Sequence, residues 1–134
     1  MIKQLAHLCI HVTDLEQTKH FYHTVLGLPI QFTFIENDKP SGFYISLGNN
    51  TFIEVFQSQD NIPLGRITHM SLEVTDMDAI IALLQSHHIE VTPKILGADH
   101  AYQAWTTDPD GNRIEFHQYT PKALQLTGGI CLVP

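Results

Sequence analysis

The chain has 134 residues, of which 43% are hydrophobic and 16% are charged, so its composition is that of a folded globular domain and not of a disordered segment. Its 14 acidic and 7 basic residues give a net charge of −7 without any lysine or arginine cluster, which argues against nucleic acid or an anionic membrane as a partner. Two cysteines near opposite ends fit no disulfide framework, and no apolar run reaches about 20 residues, so we expect a soluble cytoplasmic protein.

The first predicted elements are a strand and a helix. Residues 5–12 alternate between apolar and polar side chains, as a half-buried strand does. The sequence Thr-Asp-Leu-Glu at 13–16 has the form of a capping box, which opens a helix. Apolar residues then recur at helical spacing as far as Leu26, and we expect the helix to end at Gly27 and Pro29.

Later elements repeat this order with β-hairpins. Strands at 43–47 and 51–56 flank Gly-Asn-Asn, a strong turn signal. After a polar connector, a helix capped by Thr75 or Asp76 precedes a second hairpin around Asp-Pro-Asp-Gly at 108–111. We therefore expect one domain, 1–134, with a first module at about 4–57, a connector at 58–66, a second module at about 67–119 and a C-terminal extension at 120–134.

Two motifs occur twice and in the same order, which indicates an internal duplication. Residues 7–15 return at 69–77, shifted by 62 positions, and the Ile-Glu-Val-Phe-Gln segment at 53–57 returns as Ile-Glu-Phe-His-Gln at 114–118, shifted by 61. Each half reads as βαβββ. The predicted fold class is therefore α+β, with two similar modules.

The duplicated motifs contain four candidate metal ligands, namely His7, Glu54, His69 and Glu115. The two glutamates lie among apolar neighbours in predicted strands, where a carboxylate is costly to bury unless it is paired or bound to a metal. A single strand histidine or glutamate is more often a core or surface residue, and only the joint pattern favours a metal. Two imidazoles and two carboxylates suit one divalent ion, with zinc or nickel first and cobalt, manganese or iron as alternatives.

Side chains on the same strand faces as these ligands are expected to shape a substrate pocket, because alternate residues of a strand point the same way. His11 and Glu73 are repeat partners, and an ordinary structural pair is the alternative for them. Aromatic strand residues are likewise more often core. The predicted pocket residues are His11, Glu73, Phe56, Arg113, His117 and Trp105.

At these residues the chain resembles the vicinal oxygen chelate superfamily, which includes glyoxalase I, extradiol dioxygenases, fosfomycin-resistance enzymes, bleomycin-binding proteins and methylmalonyl-CoA epimerase. The matching pieces are His7 with 12–16, the segment 21–28, and Asp-Pro-Asp-Gly-Asn-Arg-Ile-Glu at 108–115. The resemblance runs from about residue 5 to residue 118. It implies paired βαβββ modules that form a cupped mixed sheet around a metal site.

With all four ligand positions filled, the chain resembles glyoxalase I and methylmalonyl-CoA epimerase. This resemblance implies a divalent-metal-dependent isomerase or lyase that acts through an enediolate on a small dicarbonyl-derived or thiol-adduct substrate. Glu115 and Glu54 are the candidate catalytic bases, and the family favours Glu115. His11 stands where glutathione-dependent members often have arginine, so the thiol partner stays open.

The sequence leaves two alternative functions open and predicts a homodimer. One is another reaction of the superfamily, such as ring-cleaving dioxygenation or thiol transfer to fosfomycin; the other is a non-catalytic protein that binds a small molecule or an antibiotic. The short connector favours a homodimer, as in similar family members. In it, His7 and Glu54 of one chain would meet His69 and Glu115 of the other chain.

Overall fold

The computed structural model describes residues 1, 3–5, 7–58, 67 and 69–132. The chain divides into two compact units, Met1–Leu64 and Gly65–Pro134. Apart from Ser58, the predicted connector lies outside the described residues. Over the described ranges, no helix is both long enough and apolar enough to cross a membrane.

The first unit is a four-stranded mixed sheet with one interrupted helix. Its sheet has the strand order β1-β4-β3-β2, with β1 parallel to β4 and the other neighbours antiparallel. Both predicted strands of the hairpin are confirmed, although β3 begins four residues earlier than expected. The elements are β1 (His7–Val12), α1 (Leu15–Lys19), a π-helical segment (His20–Val25), β2 (Ile30–Glu36), β3 (Lys39–Gly48) and β4 (Thr51–Gln57).

The helix begins at the expected place but with a different cap. The capping-box pattern points to Thr13, whereas the Asp14 carboxylate accepts hydrogen bonds from the backbone N–H groups of Glu16 and Gln17. From His20 the helix widens into π-helical hydrogen bonding, which the sequence pattern did not predict. The expected end is confirmed, since Gly27 takes a positive φ of 72° that glycine tolerates without strain.

The second unit repeats the topology of the first. Its strand order is β5-β8-β7-β6, again with a parallel pair, β5 and β8, at one end. Asp76 caps α2 by accepting a hydrogen bond from the Ala79 N–H. The elements are β5 (Met70–Glu73), α2 (Met77–Ser86), β6 (Ile95–Leu96), β7 (Ala101–Thr107), β8 (Arg113–Tyr119) and, in the C-terminal extension, α3 (Leu124–Thr127).

Each sheet has one buried face and one accessible face, which we call the open face. Along β4, Ile53 and Val55 are 0% exposed, while Glu54 between them points to the opposite side and is only half-buried. Along β8, Ile114 and Phe116 are buried in the same way and leave alternate residues to the open face. The predicted α+β class and the βαβββ order of both halves are confirmed.

Candidate functional site

The open face of the first sheet carries the His7–Glu54 pair. His7 begins β1, and Glu54 lies in the middle of the parallel neighbour β4. The register partner of His7 is Phe52, so Glu54 lies two residues further along β4 on the same face. Nε2 of His7 lies 4.0 Å from Oε1 of Glu54, and the side chains are 41% and 18% exposed. Solvent therefore reaches both donor groups.

Two neighbouring strands hold the Glu54 carboxylate. Cys9 on β1 and Tyr44 on β3 are its register partners, and each donates a hydrogen bond to it. Partial burial, the hydrogen bond to Glu54 and the charge of that carboxylate all raise the pKa of the Cys9 thiol. The hydrogen bond to Glu54 is the main cause that raises the pKa of the Tyr44 hydroxyl. Oη of Tyr44 also lies 3.5 Å from Nδ1 of His7, so Tyr44 contacts both members of the pair.

Cys9 gives a direct chemical test of this arrangement. In metal-free Cys131→Ser protein, iodoacetamide is expected to alkylate Cys9 more slowly than a cysteine peptide at about pH 8, because a raised pKa lowers the fraction of reactive thiolate. In the same background, Glu54→Gln should speed alkylation about two- to tenfold, since it removes the negative charge while the burial stays. The alkylation rate is followed by mass spectrometry. Glu36→Gln, an exposed acid on β2, is the control; equal rates in both variants would contradict the contact.

Aromatic side chains cover much of the same open face. Phe32 stacks on Tyr44 with ring centroids 4.4 Å apart and an interplanar angle of 21°, and Phe34 stacks on Phe56 at 4.8 Å and 29°. His11, one of the predicted pocket residues, lies beside Phe56 with centroids 6.4 Å apart. Phe32 is 45% exposed. The face around Glu54 therefore offers planar apolar surface next to a carboxylate.

The second unit carries the corresponding His69–Glu115 pair. Nε2 of His69, just before β5, lies 3.4 Å from Oε2 of Glu115 on β8. His117 lies two residues further along β8, and its Nε2 donates a hydrogen bond of 2.8 Å to Oε1 of Glu115. The Glu115 side chain is 11% exposed. Each oxygen of this carboxylate thus faces a different histidine.

Four of the predicted pocket residues lie on the open face of the second sheet. Trp105 is the register partner of Glu115, and its ring lies 4.8 Å from the ring of His69. The Arg113 guanidinium lies over the Trp105 ring, 4.6 Å from its centroid. Glu73 is exposed at the end of β5, opposite His117 in the register. The other two predicted pocket residues, His11 and Phe56, belong to the first unit.

The sequence interpretation missed Tyr44, although a signal for it was present. The offset of 61 that relates Glu54 to Glu115 also relates Tyr44 to Trp105. In both units this position is the antiparallel register partner of the glutamate. An aromatic residue beside each glutamate is therefore part of the duplication.

The two pairs have donor chemistry and spacing that suit a divalent metal. Zinc–nitrogen and zinc–oxygen bonds of about 2.0–2.2 Å at tetrahedral angles place neighbouring ligand atoms about 3.3–3.6 Å apart. The separation of 3.4 Å in the His69–Glu115 pair is within this range, and that of 4.0 Å in the His7–Glu54 pair is slightly longer. Within the described part of the chain, no group of three or more His, Cys, Asp or Glu side chains is arranged to hold a metal ion. Each unit by itself contributes two of the predicted ligands.

Known proteins resemble the chain over nearly its whole length. An uncharacterized protein of Escherichia coli strain K12, YaeR, is 26% identical over 125 residues, which are 87% of this chain and 97% of that protein. The crystal structure of TnmS3, an antibiotic-binding protein from Streptomyces sp. CB03234, matches with a TM-score of 0.75 and 24% identity over 89% of this chain and 98% of that chain. The fosfomycin resistance protein FosX from Listeria monocytogenes matches with a TM-score of 0.72 and 17% identity, covering 92% and 98%. At these identities the structural matches show the fold alone.

A family model gives the wider relationship. The model described as the Glyoxalase/Bleomycin resistance protein/Dioxygenase superfamily matches residues 4–116, which contain both histidine–glutamate pairs. Repeated sequence, repeated βαβββ topology and this match agree. The chain belongs to the Glyoxalase/Bleomycin resistance protein/Dioxygenase superfamily.

Proposed function

We propose that the protein is a divalent-metal-dependent isomerase or lyase of the glyoxalase I type, with His7, Glu54, His69 and Glu115 as ligands of one zinc or nickel ion. The observation that carries the proposal is the recurrence of the same pair in both units. In each unit an imidazole nitrogen and a carboxylate oxygen lie 3.4–4.0 Å apart on the open face of a sheet. A half-buried or buried strand carboxylate beside an imidazole, present in two copies, is the donor set that a divalent metal site uses.

The chain's own groups supply the proton transfer. A bound divalent ion would polarise the oxygens of a small dicarbonyl-derived or thiol-adduct substrate. We assign the role of base to Glu115, which takes a proton from the carbon next to the carbonyl and returns it to the neighbouring carbon. His117 fixes Oε1 of Glu115 by its hydrogen bond, so that Oε2 is the oxygen on the side of His69. Glu54 is held by Cys9 and Tyr44 and serves as the second carboxylate.

A turnover assay tests this proposal. The protein, loaded in turn with nickel, zinc and cobalt, is expected to isomerise the hemithioacetal of methylglyoxal with glutathione or with another small thiol to the corresponding thioester. Glu115→Gln should reduce kcat at least about a hundredfold, because it removes the proton-accepting group but keeps a hydrogen-bonding partner for His117. Formation of the thioester is followed by ultraviolet absorbance. A zero rate with every metal and every thiol would refute the proposal.

The aromatic surface favours one second candidate, a protein that binds a planar small molecule without turnover. The stacked pairs Phe32–Tyr44 and Phe34–Phe56 lie on the accessible side of the first sheet. The likeness to an antibiotic-binding protein is in keeping with this candidate. Under it, the ligand would remain bound after a chelator has removed all metal. Under the leading proposal, loss of the metal abolishes turnover.

A further inference from the structure

An open groove lies along the edge of the second unit, next to the His69–Glu115 pair. It has a volume of about 550 Å³, and its wall combines the end of α2 and the segment after it with β7 and the start of β8. Trp105 and Arg113 both line it. Because Trp105 also contacts the ring of His69, the groove and the candidate metal ligands share one side chain.

Arg113 is a cation for which the described residues provide no acidic partner. No carboxylate of the described residues lies within 4.0 Å of its guanidinium, which lies over the Trp105 ring, 4.6 Å from the ring centroid. Lys94 makes a comparable contact with the ring of Tyr102, at 4.4 Å, but its charge is neutralised by Asp78 at 2.8 Å. The chain has twice as many acidic as basic residues, and most cations can therefore find an acidic partner. An arginine that lies on an aromatic ring without such a partner among the described residues is available to bind an anionic ligand.

The position of the Arg113 guanidinium and the charges of the groove favour a carboxylate as the anion. A guanidinium that lies over a ring still has N–H donors at its edge, and these donors match the two oxygens of a carboxylate. Arg113 is the one basic residue among the groove's described lining residues, and Glu90 lines the same groove. Glu90 is not paired with Arg113, but its negative charge in the same groove repels a doubly charged phosphate more than a singly charged carboxylate.

We propose that Arg113 and Trp105 form a subsite that binds a carboxylate group of the substrate. Arg113 and Glu115 are two residues apart on β8, so their side chains lie on the same face and their Cα atoms are about 6.6 Å apart. A single small molecule can span that distance. The assignment of both contacts to one substrate rests on the proposed function, whereas carboxylate binding at the groove does not. The substrate is therefore a carboxylic acid whose acidic group lies a few bonds from the reacting carbon.

The single tryptophan of the chain makes the subsite observable without activity. Metal-free, ¹⁵N-labelled protein is titrated with benzoate and, at matched ionic strength, with neutral benzamide, while the indole N–H signal of Trp105 is followed by NMR. Benzoate is expected to shift this signal in a saturable manner, and benzamide is expected to bind at least about tenfold more weakly. Because the titration uses no metal, its failure is distinct from failure of the turnover assay.

Variants then assign the effect to Arg113. Arg113→Gln should weaken benzoate binding at least about tenfold, and Arg113→Lys should bind with intermediate affinity, since it keeps the charge without the planar fork. Lys94→Gln is the matched control, because it removes the other cation–aromatic contact of the unit, and its benzoate affinity should be unchanged. If Arg113→Gln does not fold, the comparison of Arg113→Lys with Lys94→Gln carries the test. Equal shifts by benzoate and benzamide, or an Arg113 variant with undiminished benzoate affinity, would overturn the proposal.

Discussion

Replacing Glu115 by alanine is expected to lower the affinity of the protein for zinc or nickel at least about a hundredfold. Glu115 is the more buried of the two candidate carboxylates, with side chains of 11% and 18% exposure for Glu115 and Glu54. Its Oε2 faces His69 and its Oε1 accepts from His117, so its loss removes one donor and frees the histidine beside it. A ligand set of three would also leave the ion with one charge fewer to balance it.

The loss of metal binding in Glu115→Ala should also be visible in the melting temperature of the protein. A ligand that binds only the folded state at a hundred times its Kd stabilises that state by about 2.7 kcal/mol, which raises the melting temperature by several degrees. Wild-type protein should therefore melt higher with added metal, and Glu115→Ala should melt at the same temperature with and without it. Metal content per chain is measured in parallel by elemental analysis.

Two variants complete the experiment on Glu115. Glu73→Ala removes an exposed acid from β5 in the same unit, and it should retain both the bound metal and the thermal shift. Glu115→Gln preserves the shape of the side chain and its contact with His117, so it serves if the alanine variant is poorly folded. Undiminished metal content in both Glu115 variants would show that this carboxylate is no ligand.

Because the sequence is duplicated, much of the fold and of the candidate site could be predicted from the sequence. Matching offsets placed the histidine–glutamate pairs on strands, and strand alternation then predicted which side chains share a face with them. The structure puts Ile53 and Val55 in the core and Glu54 on the opposite side, as this alternation requires. These features depend on local pattern alone, which a single sequence contains in full.

Contacts that depend on the register between strands could not be predicted from the sequence pattern. Tyr44 meets Glu54 because β3 pairs antiparallel with β4, and a shift in the pairing between Ser46 and Gly48 determines which residues face each other. Periodicity does not contain this information, since a slip by one residue would turn Tyr44 to the other face. The π-helical segment at His20–Val25, in which Phe21 and Tyr22 are buried, was likewise not predicted, since the spacing of apolar residues does not distinguish it from an α-helix.

Purified protein is expected to elute as a homodimer, with the pair His7–Glu54 of one chain and the pair His69–Glu115 of the other as ligands of the same ion. Glu54→Ala and Glu115→Ala each disable every site when they are present alone. A dimer with one chain of each kind would nevertheless keep one site whole, built from the intact first unit of one chain and the intact second unit of the other. After statistical mixing, about one quarter of all sites should bind metal again.

This recovery separates the two possible arrangements. If all four ligands came from a single chain, neither variant chain would have a full set, and mixing would restore nothing. His7→Ala mixed with Glu54→Ala is the matched control: both changes affect the same pair, so no mixed dimer contains a complete site under either arrangement. Mixed dimers are isolated with two affinity tags and their metal is measured directly. Recovery in the Glu54–Glu115 mixture but not in the control would require each ion to draw its ligands from both chains, whereas a metal-free mixed dimer would place the site within one chain.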